Sequence, residues 1–142
     1  MRLISQRGAA WLLLTCVLLL GSPAAAQTAR VGREFKVRAG QVVTLDGGRL
    51  RVRFVRVTED SRCPADVDCV WAGNAEIMVE VGGKGWRGKR SLTLNTNASP
   101  ERPGEGGYGR YTVRLVNLSP QPRSRRKIAP GRYTATLLVT KE

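Results

Sequence analysis

The chain has no histidine. That absence removes the Ser-His-Asp and Cys-His arrangements that activate a nucleophile, together with imidazole ligands for zinc. Aromatic residues make up only 6% of the chain. So few leave no evident platform for base stacking, which makes nucleic acid a weak candidate partner despite the charge. Acidic residues are scarce: 11 Asp and Glu stand against 24 Lys and Arg, for a formal net charge of +13. Cysteine is limited to Cys16, Cys63 and Cys69. Helical periodicity is nearly missing beyond the N-terminal segment.

That segment, residues 1–26, has the three parts of a secretory signal. Arg2 and Arg7 give a positive start, residues 9–20 form an apolar run, and Gly21-Ser22-Pro23 break it. Ala24-Ala25-Ala26 supplies the small-x-small pattern read by signal peptidase, placing the expected cut before Gln27. The run is too short for a bilayer span, which takes about 20 apolar residues. Cys16 follows Thr15 where a lipid-attachment motif has a small residue, so it reads as a member of the apolar run. The expected product is a single domain over residues 27–142, periplasmic or extracellular, with no transmembrane span. Loss of the leader leaves Cys63 and Cys69 as an even pair, expected to form a disulfide in an oxidising compartment. The ring it closes, C-P-A-D-V-D-C, is small, and its closure entropy contributes about 2–2.5 kcal/mol.

Strand periodicity fills the rest. Residues 34–37 and 41–45 read as short strands parted by Ala39-Gly40, and Asp46-Gly47-Gly48 reads as a turn. In residues 49–58, Leu50, Val52 and Phe54 share one face, and the apolar parity then slips to Val55 and Val57. Such a slip predicts a β-bulge near Phe54 or Val55. From Cys69 the odd positions Trp71, Gly73, Ala75, Ile77, Val79 and Val81 line one face, which predicts a strand that buries Trp71 against the disulfide. Gly82-Gly83-Lys84-Gly85 predicts a hairpin turn into a strand over residues 86–94. Residues 95–109 read as a long mobile loop. Residues 111–118 and 132–140 complete about seven strands, the last with Tyr133, Ala135, Leu137 and Val139 inward. The expected fold is all-β, an antiparallel β-sandwich that is immunoglobulin-like in a loose sense, with a small closed β-barrel as the alternative.

The most distinctive segment runs from Glu59 to Ala75 and contains D-S-R-C-P-x-x-V-x-C-x-W-A-G-x-A. At those positions it resembles the signature of a family of small secreted or lipid-anchored bacterial envelope proteins. The resemblance covers about 15 residues; it implies an exported β-domain and adds no activity. Read from its residues, the segment is a disulfide-stapled structural corner. Asp60, Asp66 and Asp68 lie near Arg62 in sequence for an ion-pair cluster. Pro64 stiffens the loop, Trp71 packs, and Gly73 lets another backbone or a ring come close. A second reading places calcium on Glu59, Asp60, Asp66 and Asp68, since oxygen ligands suit that ion, although the spacing is not that of an EF-hand. A redox role fits poorly, because the spacing is C-x5-C.

Two basic runs stand out. Arg123, Arg125, Arg126 and Lys127 lie between two strands, and Arg49, Arg51, Arg53 and Arg56 make a stripe along another. They read either as solvated surface or as sites for an anionic envelope polymer or lipid headgroup. No nucleophile–base pair can be assembled, so a non-enzymatic domain that binds a protein or anionic partner in the envelope is the expected role. An enzyme inhibitor acting through an ordered loop is a further alternative.

Overall fold

A computed structural model describes residues 26–142; the leader features before Ala26, Cys16 among them, lie outside the described residues. Among the described residues nine strands form two sheets: β1 Gln27–Thr28, β2 Glu34–Arg38, β3 Val42–Leu45, β4 Leu50–Asp60, β5 Ala75–Gly83, β6 Arg90–Asn95, β7 Glu105–Tyr108, β8 Tyr111–Ser119 and β9 Thr134–Lys141. One sheet has the order β1-β3-β4-β5-β6 and the other β2-β9-β8-β7. All pairings are antiparallel except β1 with β3. The fold is a β-sandwich. The closed barrel does not form, because the two sheets stay separate with β1, β6, β2 and β7 at their edges.

Alternation builds the core. Val43 and Leu45, Leu50, Val52 and Phe54, and Ile77, Val79 and Val81 are buried from the first sheet. They meet Val37, Val113, Ala135, Leu137 and Val139 of the second. Burial of each Val or Leu side chain contributes about 1.5–3 kcal/mol. The expected bulge is present: β4–β5 register shifts between Phe54 and Arg56, which leaves Val55 unpaired. The edges are charged or short. On β2, Glu34, Lys36 and Arg38 are exposed between buried Phe35 and Val37, and β1 has two residues.

Four expectations change. The strand expected from Cys69 begins only at Ala75, because Gly73 at φ 70° interrupts extended backbone. Trp71, expected against the disulfide, is 82% exposed. Residues 95–109, expected as loop, contain β7, where Gly106 pairs with Val113. The Leu92 side chain rests on Gly106; a Cβ there would lie 3.1 Å from Leu92 Cδ2. The expected hairpin turn also moves: β5 runs through Gly83, and β6 starts at Arg90.

Candidate functional site

Asp60 ends β4 and meets Arg62 two residues on. The guanidinium donates from Nε to Oδ1 at 2.8 Å and from Nη2 to Oδ2 at 2.7 Å, a bidentate pair. Both side chains are nearly buried, at 7% and 10% exposure. Nη1 and Nη2 also donate to the Leu118 and Pro120 carbonyls at the β8 end of the opposite sheet. Tyr133, just before β9, donates its hydroxyl to Asp60 Oδ2 at 3.0 Å. One buried ion pair thus ties the two sheets together. Burial pushes Asp60 up, but hydrogen bonding and charge from Arg62, with the Tyr133 hydroxyl, outweigh it and hold the carboxyl below its ordinary value. Burial, reinforced by Asp60, raises Tyr133 to about 12.

Beyond Asp60 the chain still pairs with the approach to β5. Ser61 N–H donates to Asn74 O at 2.7 Å, and Cys63 N–H donates to Ala72 O at 2.9 Å. Gly73 passes so close to Ser61 that a Cβ would lie 1.9 Å from the Ser61 carbonyl oxygen. Asn74 is buried and donates to Asn95 Oδ1 at 2.8 Å, which fastens the start of β5 to the end of β6. Cys63 and Cys69 are bonded, with Cα atoms 5.9 Å apart. Inside that ring, Val67 N–H donates to Pro64 O at 3.3 Å, closing a turn.

The stapled loop is docked on the basic loop. Asp66 accepts from Ser124 N–H at 2.9 Å and from Ser124 Oγ at 2.7 Å. The Ala65 N–H donates to Pro122 O at 2.9 Å, and Gln121 Nε2 donates to Cys63 O at 2.9 Å. The Ser124 hydrogen bonds, backbone first, hold the Asp66 carboxyl below its ordinary value. On the basic side, Arg126 N–H donates to Arg123 O at 3.1 Å in a turn. Arg123, Arg126, Lys127 and Arg132 line an open depression of about 420 Å³ with Pro120 and Ile128. Arg38, Ser119, Pro120 and Arg132 line an adjoining one of about 520 Å³. No carboxylate lines either.

Several candidate residues come together and others do not. Asp60 and Arg62 pair as expected. Asp66 turns instead to Ser124, 58 residues away, and not to Arg62. The calcium set is dispersed: Asp60 is committed to Arg62 and Tyr133, Asp66 to Ser124, and Glu59 sits on a strand opposite Glu76. Among the described residues no cluster of three or more carboxylates, cysteines or histidines is placed to hold a metal ion. The stripe of Arg49, Arg51 and Arg53 lies toward the other end of β4. There Arg53 is 4.0 Å from Glu80, across the pairing of β4 and β5, and Arg51 lines a wider depression of about 710 Å³ with Trp86, Gln41 and Thr44.

Arg38 and Arg132 were not singled out by sequence. They reach the groove because β2 pairs with β9, Arg38 opposite Thr134, a register that no local pattern reveals. Compared with models of known families, with curated proteins and with solved structures, the chain finds no match.

Proposed function

We propose that the chain is an exported, non-enzymatic β-sandwich domain that binds anionic material of the cell envelope through the groove around Pro120. The observation that carries this reading is the convergence of Arg38, Arg123, Arg126, Lys127 and Arg132 on two adjoining depressions with no carboxylate among their lining residues. Like charges are costly to gather unless an anion sits among them. Arg62, by contrast, is spent on Asp60 and two carbonyls, so it is a strut of the corner and not part of the binding surface. Export is supported by the leader pattern and by the disulfide, which suits an oxidising compartment. The resemblance of residues 60–75 to the signature of small exported envelope proteins supports the same reading. A non-enzymatic role is supported by the lack of histidine and by the pairing of Cys63 with Cys69.

Retention of the exported protein on a sulfated polysaccharide column tests this. The wild type is expected to elute only at raised salt, since screening weakens contacts between exposed charges. Arg123→Ala/Arg126→Ala/Lys127→Ala should elute much earlier, whereas Arg49→Ala/Arg53→Ala, at the other end of β4, should elute little earlier. Equal retention of the wild type and the triple variant overturns the reading.

A further inference from the structure

The large apolar side chains left exposed are not scattered. Those standing furthest out of the described surface are Val70 at 94% and Trp71 at 82%, followed by Val67 at 44% and Val116 at 43%. Val67 lies in the disulfide ring, and Val70 and Trp71 follow it directly after Cys69. Val116 borders a small depression beside that loop, with Ala72, Gly73 and Gln121. Gln121 also lines the basic depression, so the apolar and cationic surfaces adjoin. A tryptophan and a valine held in water beside a well-filled core need a physical reason.

We propose that Val67, Val70 and Trp71 form a wedge that enters the interface of an anionic lipid bilayer, with lipid headgroups as the anions received by the basic loop. This deepens the reading given above and rests on it. Trp71 suits the headgroup level, where an indole ring buries its apolar body and keeps its N–H wet. Arg123, Arg125, Arg126 and Lys127 supply attraction to anionic headgroups. The exposed carboxylates of the loop, Asp66 and Asp68, are outnumbered by these cations, and Asp66 is turned toward Ser124. The wedge is tied to the basic loop, because Cys69 and Ala72, on either side of Val70 and Trp71, are both held to Cys63, and Cys63, Ala65 and Asp66 are fastened to residues 121–124. Little ordering is then needed on contact, which favours binding. A lipid surface fits better than a protein partner because Val67, Val70 and Trp71 are exposed and line none of the depressions at this end.

The test uses the exported protein and two sets of vesicles, phosphatidylcholine alone and phosphatidylcholine with phosphatidylglycerol. The wild type should sediment with the anionic vesicles only. In a Trp86→Phe background, Trp71 emission should shift to shorter wavelength on binding. Val70→Ser/Trp71→Ser should lower vesicle affinity about tenfold or more through lost apolar contact. It should elute from the sulfated polysaccharide column like the wild type, because its cations are intact. Both substitutions fall on exposed side chains, so the fold should hold, and an unchanged melting curve checks that. If the apolar variant sediments like the wild type, the wedge is overturned. Retention of the wild type on the column without vesicle binding also overturns the wedge and leaves the wider reading standing, with a soluble polyanion or an acidic protein as the partner. Binding to neither overturns both.

Discussion

The two ends of the sandwich are tied in opposite ways. At the end holding the β3–β4, β5–β6 and β7–β8 turns, Asp46 accepts from Lys141 Nζ at 2.7 Å and from the Tyr111 hydroxyl at 2.6 Å. The Lys141 and Asp46 side chains there are 28% and 24% exposed. At the other end the Arg62–Asp60 pair is nearly dry and satisfied by two carbonyls and a tyrosine. Charges near water are screened and contribute little. A buried pair costs much to assemble and much more to break on one side. The end that carries the exposed loops is therefore the one with the stiffest foundation, and a rigid base lets a projecting loop keep its shape.

The largest test of that contrast is Arg62→Met. It strands the Asp60 carboxylate and is expected to lower unfolding stability by about 3–5 kcal/mol in a denaturant melt at neutral pH. The pH dependence sharpens it. In the wild type, Asp60 lies below its ordinary value of 3.8, so its stabilisation is full above that value and fades as pH falls toward the lowered one. In Arg62→Met, burial without the partner pushes Asp60 upward, so the variant loses stability as pH rises. The gap between the two proteins should narrow in acid and widen toward neutral pH. A gap that does not change with pH would show that Asp60 is not the group left unpaired.

Gly73→Ala comes next. The added methyl meets the Ser61 carbonyl in a left-handed backbone, and the expected loss is about 2–3 kcal/mol. A melt indistinguishable from the wild type would mean that the corner yields readily, against the stiffness assigned to it. Cys63→Ser/Cys69→Ser frees a small ring and should cost about 2–2.5 kcal/mol. Asp46→Asn is expected to have the smallest effect, and one that raised salt erases. If its shift in melting midpoint matches that of Arg62→Met, the two ends are tied alike and the contrast fails.

How much of this could be read from the chain follows from the range of each interaction. The inward set of β9 and the slip at Val55 were legible, since both are patterns within a few neighbouring residues. So was the close approach at Gly73. The burial of Trp71 was misjudged because odd parity continues without a break from Cys69 into Ala75, while a positive φ at Gly73 and the ring to Cys63 turn that stretch aside. E-G-G-Y offers no alternating apolar residue, so β7 is defined by β8 and by Leu92 resting on it. The bond from Asp66 to Ser124 and the approach of Arg38 to Arg132 depend on tertiary register, which leaves no local trace.

The charged outer margin of the second sheet has its own effect on how copies of the chain meet. A second molecule adding itself alongside β2 would meet a row of three exposed charged side chains, Glu34, Lys36 and Arg38, whose water it would have to displace. Charged side chains at an exposed strand edge work against strand-by-strand stacking there.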